Sequence, residues 1–162
     1  MKTAIVYFSY HHLNTEKIAK EMAEVLEADL MKVGSFELSD LAVYDLIGFG
    51  SGIYFGKPHK LLLEMVAKMP ALNKKAFIFS TSGASINRSK PGFHKKLRES
   101  LQSKGLEVID EFSCPGYDTF IFVRIGTAGR GVSRGRPNEE DLNKARKFAD
   151  NLKIKVGSSL GL

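Results

Sequence analysis

The spacing of apolar and polar residues along the chain alternates between short buried strands and amphipathic helices. Residues 3–8 form an apolar, β-rich run with little alternation, as expected of a strand covered on both faces. Residues 15–27 switch to helical spacing. Ile18, Met22, Val25 and Leu26 share one stripe, and Glu16–Lys20 and Lys17–Glu21 are spaced to pair on the other side. Short apolar runs predict further strands at 28–33, 44–50, 76–80 and 106–112. Pro58 suits the first turn of a helix whose apolar residues are Leu61, Leu62, Met65, Val66 and Met69. Pro91 suits the start of another, carrying Phe93, Leu97 and Leu101, with Gly105 placed as its left-handed cap. Pro137-Asn138-Glu139-Glu140-Asp141 opens a last helix, with acidic residues at its positive end and Leu142, Ala145, Ala149 and Leu152 inward. No repeat or linker interrupts the pattern, so residues 1–156 read as one domain and 157–162 as a frayed tail.

Five strands alternating with helices imply an α/β fold, a parallel sheet with helices on both faces. Ligands of such sheets bind beyond the carboxyl ends of the strands, where the strand order reverses. Three loops leave those ends: residues 9–15, 50–58 and 80–91. The first is the most informative. Ser9-Tyr10-His11-His12-Leu13-Asn14-Thr15 joins a buried strand to an abrupt helix start. The free N–H groups and the positive dipole end of such a helix attract anions. Ser9, Asn14 and Thr15 add uncharged hydrogen-bonding groups, so the loop points to a phosphate-bearing cofactor. An ordinary helix cap is the plainer reading.

Composition narrows the classes. The chain has 162 residues, 43% of them hydrophobic, enough for a real core. Its only cysteine, Cys114, excludes internal disulfides and cysteine-based zinc or iron–sulfur sites, and is expected to pack as a small hydrophobe. No apolar run is long enough to cross a bilayer, Met1-Lys2-Thr3 leads straight into a strand, and the expected location is the cytoplasm. The net charge is +6: residues 1–84 balance 9 Lys/Arg against 9 Asp/Glu, while 85–136 carry 10 against 5. That basic segment is either a solvated face or a surface for an acidic partner or anionic substrate. No helix-turn-helix, zinc finger or aromatic-rich RNA-binding strand is present, so nucleic acid is not an expected partner.

Taken together, the three loops resemble those of a flavodoxin, and the resemblance covers nearly the whole chain. Flavodoxins open with a strand, Ser/Thr-x-Thr-Gly-x-Thr, then a helix. Here the loop is one residue longer, lacks the glycine, and carries a His-His pair similar to that of a flavodoxin subgroup from anaerobic microbes. The resemblance implies a five-stranded parallel sheet of order 2-1-3-4-5 and FMN as cofactor. It places Ser9, Tyr10, His11, His12, Asn14 and Thr15 around the phosphate. Ser51, Gly52, Ile53, Tyr54 and Phe55 then run along the flavin ring, with Tyr54 or Phe55 stacked on it. Thr81, Ser82, Gly83 and Ala84 lie against the pyrimidine side, their amides facing the flavin carbonyls. Singly, the aromatic pair reads as packing and Gly83 as a turn residue.

The implied function is electron transfer between redox partner proteins, with no catalytic acid or base and no metal. The alternative is a flavin-dependent reductase or oxidase acting on a quinone, porphyrinogen or other small molecule. The basic balance departs from most flavodoxins, which are acidic, and allows acidic partners. Flavin-free relatives of the topology lack support. Residues 9–12 hold no acidic cluster, position 120 is Phe where a small phosphatase needs Arg, and no Gly-Lys-Ser/Thr occurs. Residues 114–136 are long for a connection. They are expected to cover the flavin edge, add a short strand or make a subunit contact, in a monomer or homodimer.

Overall fold

The computed structural model describes residues 1–10, 12–83, 92–118 and 132–158. Five parallel strands form the sheet: β1 (Thr3–Phe8), β2 (Asp29–Lys32), β3 (Leu46–Tyr54), β5 (Lys75–Ser82) and β6 (Glu107–Pro115). Their order is β2-β1-β3-β5-β6. A two-residue strand, β4 (Lys57–Pro58), pairs antiparallel with the end of β3 and stands outside the main path. With β4 set aside, the order is the expected 2-1-3-4-5. The register of β1 on β3, from Thr3↔Leu46 to Phe8↔Ser51, brings the carboxyl ends of the two strands to one edge.

Four helices cover the sheet: α1 (Asn14–Leu26), α2 (Lys60–Lys68), α3 (Gly92–Ser103) and α4 (Glu139–Ser158). One core lies beneath α2 and α3 and holds Val6, Phe49, Leu62, Val66, Ile78, Leu97 and Leu101. The other lies beneath α1 and α4 and holds Ile5, Ile18, Met22, Phe77, Phe79, Cys114, Ala145, Ala149 and Leu152. Alternate residues of β5 feed the two cores, the period-2 pattern of a strand buried on both faces. Glycines of β3 face the large rings of β5. A Cβ at Gly48 would lie 2.3 Å from the Phe77 ring, and one at Gly50 would lie 2.1 Å from Phe79.

Local expectations fail at several points. β3 does not stop near Gly50 but runs to Tyr54, then turns through Phe55 and Gly56 into β4. Both turn residues have positive φ, +50° and +77°, as a two-residue hairpin demands. Pro58 is therefore a strand residue, and His59 caps α2, its Nδ1 accepting from the Leu61 N–H at 3.2 Å. Leu61 is 39% exposed and not part of the apolar face. Glu21 pairs not with Lys17 but across the helix layer with Arg146 at 2.6 Å. Gly105 takes the left-handed cap conformation, φ +78°. α4 includes Gly157 and Ser158; residues 159–162 lie outside the described residues.

Candidate functional site

The loops after β1, β3, β5 and β6 meet in one cleft at the carboxyl edge of the sheet. It is lined by Ser9, Tyr10, Asn14, Thr15, Gly52, Ile53, Tyr54, Thr81, Ser82, Gly83, Gly116, Tyr117 and Asp118.

At its floor stands the N-terminus of α1. Leu13 occupies the cap position with φ +50° and supplies no side-chain cap. His12 before it is also left-handed, φ +53°. The nearest hydroxyl contact is long: the Glu16 N–H points to Ser9 Oγ at 3.4 Å. Thr15 and Thr81, both buried, join hydroxyls at 2.9 Å and tie the first loop to the third. Asn14 is 8% exposed; its Nδ2 donates to the Tyr117 carbonyl at 2.7 Å, and its Oδ1 has no partner among the described residues. Because Tyr117 presents an acceptor, the amide orientation is fixed and the open atom is the carbonyl oxygen. A buried acceptor without a donor costs about 1–3 kcal/mol, so a ligand that donates to it recovers that loss. Gly116 allows this close approach, since a Cβ there would lie 2.9 Å from Asn14 Nδ2.

The second wall is Gly52, Ile53 and Tyr54. The Tyr54 ring folds back over Gly52, where a Cβ would meet it at 3.0 Å. His59 supports it from the side, with ring centroids 5.1 Å apart and an edge-on angle of 78°. His59 itself stacks on Phe8 at 3.9 Å. Burial, aided by Lys60 and opposed by Glu64, holds His59 below the ordinary imidazole value, in keeping with its acceptor role at the cap. Burial, then Asp118, pushes the Tyr54 phenol up.

The third wall is Thr81, Ser82 and Gly83. Asp118 lies against Gly83, where an added Cβ would sit 2.1 Å from the Asp118 Cβ. A two-way bridge between Asp118 and Val132, at 3.1 and 2.9 Å, fixes that carboxylate at the cleft. Among the described residues the cleft is open to one side and narrow, with about 40 Å³ of accessible space.

Of the residues singled out from sequence, Ser9, Tyr10, Asn14, Thr15, Gly52, Ile53, Tyr54, Thr81, Ser82 and Gly83 converge on this cleft. Ser51 does not line it. Its buried hydroxyl donates to the Gly52 carbonyl at 2.9 Å and accepts from the His59 N–H at 3.1 Å, clamping β3 to α2. Phe55 sits at the hairpin tip, 74% exposed. The His12 ring packs on Tyr117 at 4.5 Å. His11 and Ala84 lie outside the described residues. Sequence reasoning missed Gly116, Tyr117, Asp118 and His59. Only Gly116, next to the end of a strand, carried a local signal.

The flavodoxin domain model matches residues 4–116. The chain belongs to the flavodoxin family. A protein of Methanocaldococcus jannaschii of uncharacterised function is 48% identical over 94% of this chain and 98% of its own length. A flavodoxin-like domain-containing protein, BilS, of Clostridioides difficile is 28% identical over 96% of this chain and 98% of its own. Among solved structures, oxidised flavodoxin 2 of Bacillus cereus superposes with a TM-score of 0.70 at 19% identity, covering 96% of this chain and 99% of that one. The flavodoxin fold and family support flavin-binding electron transfer in general terms. No described helix is long and apolar enough to cross a membrane.

Proposed function

We propose that this flavodoxin-family chain binds FMN in the cleft and carries electrons between protein partners. The observation that carries the reading is the floor of the cleft: an α1 N-terminus whose cap residue Leu13 supplies no side-chain bond, beside a buried Asn14 carbonyl that lacks a donor among the described residues. A phosphate suits the first-turn amides and helix dipole. The ribityl hydroxyls of the same ligand suit Asn14 Oδ1, because they donate where a phosphate oxygen does not. Ser9 and Thr15 add hydroxyls at the phosphate end. Tyr54 covers one face of the ring, and the amides of Thr81–Gly83 face its carbonyls.

When bound, FMN supplies reversible one- and two-electron chemistry. The protein sets how easily the ring accepts electrons. Amide donors near the ring favour added negative charge, while the carboxylate of Asp118 and cover by Tyr54 oppose it. Among the described residues the α1 N-terminus opens onto the cleft, and no second pyrophosphate motif follows a strand in the sequence, so FMN rather than FAD fits.

The basic excess of residues 85–136 supports docking on an acidic partner. Arg136 takes no part in this, because it forms a bidentate pair with the buried Asp141 at the start of α4. An absorption spectrum of the purified protein, followed by mass spectrometry of the released ligand, tests the proposal. FMN is expected; recovery of FAD alone, or no flavin after reconstitution, refutes it.

A further inference from the structure

A second polar cluster lies on the α2/α3 face of the sheet, one residue before the third cleft wall. His94, in the first turn of α3, is 5% exposed. Its Nδ1 meets Glu111 Oε2 at 2.9 Å and its Nε2 meets Ser80 Oγ at 2.8 Å. Ser80 Oγ in turn meets Ser113 Oγ at 2.9 Å. Arg98, one turn along α3, grips both oxygens of Glu111. The order Glu–His–Ser is that of a nucleophile-activating triad. Ser80, however, is only 2% exposed, so no substrate reaches its hydroxyl.

The geometry assigns the cluster another task. We propose that His94 is a positioning residue: its bond to Ser80 ties the end of β5 to the start of α3 and holds the Thr81–Gly83 wall of the cleft in place, and a proton on Nε2 reverses the hydrogen bonds behind that wall. Neutral His94 satisfies every atom in one direction. Nδ1–H donates to Glu111, Nε2 accepts from the Ser80 hydroxyl, and Ser80 accepts from the Ser113 hydroxyl. A proton on Nε2 turns that nitrogen into a donor, so the Ser80 hydroxyl must turn away and the chain of donors reverses.

Among the described residues the charged groups acting on His94 are Glu111 from β6 and Arg98 from its own helix; β5 and β6 add only the hydroxyls of Ser80 and Ser113. Arg98 already neutralises Glu111, so a protonated His94 would leave the buried cluster with net positive charge. Burial therefore wins over the carboxylate and holds His94 below the ordinary 6.5. The neutral arrangement therefore holds at neutral pH, and the reversed, charged one takes over and shifts the wall as pH falls below that range.

Two experiments on the full chain test this. The first needs no flavin. NMR follows the His94 ring and the amides of Thr81, Ser82 and Gly83 through a pH titration. The three amides are expected to shift with the His94 midpoint, and in His94→Gln, which keeps hydrogen-bonding groups but cannot titrate, to stay still. Amides that ignore the His94 midpoint in the wild type overturn the proposal, and this holds even if the variant does not fold. The second experiment rests on the flavin reading of the cleft. Riboflavin carries no phosphate, so its pH profile is free of phosphate titration. Its affinity is expected to drop by up to about tenfold per pH unit below the midpoint, the limit for one linked proton. The profile should be flat in His94→Gln and retained in His59→Gln. A slope that persists in His94→Gln overturns the latch. Failure to bind riboflavin or FMN at any pH removes the flavin reading instead, and leaves the first experiment to decide.

Discussion

Asn14→Ala separates the two roles open to this residue, gripping a phosphate or accepting from a hydroxyl. In the flavin-free protein two terms oppose. The substitution deletes the 2.7 Å bond to Tyr117 and leaves that carbonyl without its donor, costing about 1–3 kcal/mol. It also removes the buried Oδ1 that had no partner, recovering about 1–3 kcal/mol. The two terms leave a net of at most about 2 kcal/mol in either direction, so the melting temperature of the flavin-free protein should move by no more than about 8 °C in a chain of this size. In the loaded protein the acceptor is in use, so its loss appears as weaker binding. One neutral hydrogen bond contributes about 0.5–1.5 kcal/mol, which is about a two- to thirteen-fold rise in Kd. Because Asn14 Nδ2 is committed to Tyr117, the atom lost to the ligand is an acceptor, and FMN and riboflavin should weaken alike. Asn14→Asp is the contrast: its carboxylate repels a phosphate at the same helix end, so FMN should suffer more than riboflavin. Fluorescence titration of both flavins with the three proteins is the assay. If Asn14→Ala weakens FMN but spares riboflavin, Asn14 serves the phosphate and the argument from its open carbonyl is wrong.

Tyr54→Ala should lower flavin affinity and raise the reduction potential, since lost stacking penalises the oxidised ring most, while Phe55→Ala should leave both unchanged; titration and potentiometry decide, and the reverse pattern would place the hairpin tip on the ring. Asp118→Asn should also raise the potential, by removing a negative charge beside Gly83, and an unchanged potential would put that carboxylate out of range of the ring. Neutralising Arg130 and Arg134 while sparing Arg136 should slow electron transfer to a partner protein at low salt and matter less as salt rises, as stopped-flow oxidation would show. Equal rates at every salt concentration would make the basic segment a solvated face. Acid stability should follow the two histidines held below the ordinary 6.5, His59 and His94. The unfolded chain takes up protons first as pH falls, so their contribution is whole above about 6.5 and declines below it by at most about 1.4 kcal/mol per pH unit each. Glu111 also has a lowered pKa, because the bonds from Arg98 and His94 outweigh burial, so its contribution is lost in the more acid carboxylate range. Thermal melts of His59→Gln and His94→Gln should show a flatter acid limb; melts parallel to the wild type would refute the assignment.

The parts of the fold set by local pattern were legible. β1 and the middle of β5 are continuous apolar runs, and α1 shows a clean stripe ending in Leu26. The end of β3 was not, because Gly50-Ser51-Gly52 breaks the apolar run and masks a strand that continues to Tyr54. The reason for Gly50 lies on another strand, in the ring of Phe79, and that for Gly52 in the Tyr54 ring folded back over it. Pro58 read as a helix start because Pro fits both a first turn and an edge strand, and only the pairing with Ile53 decides between them. In the cleft, the loops after β1, β3 and β5 announced themselves by glycines and hydroxyls beside strand ends. The loop after β6 did not. Tyr117 and Asp118 acquire their roles from partners far along the chain, Asn14 at a separation of 103 residues and the backbone of Val132. No local period encodes such contacts.

The same long-range contacts explain how the loop after β1 holds its shape without the family's glycine. His12 and Leu13 both hold the left-handed conformation that non-glycine residues avoid, at a cost of about 1–3 kcal/mol each. Such a loop persists only if its surroundings leave it no alternative. Tyr117 supplies much of that constraint: its ring packs on His12, its carbonyl accepts from Asn14, and its N–H donates to the Arg136 carbonyl at 2.9 Å. Arg136 is fixed in turn by Asp141, which also accepts from the Asn138 N–H at 2.9 Å at the start of α4. The floor of the cleft is thus braced through the loop after β6 by the start of α4. Leu13 gives α1 no side-chain cap, so distant parts of the chain rather than a cap at Leu13 stabilise the strained loop.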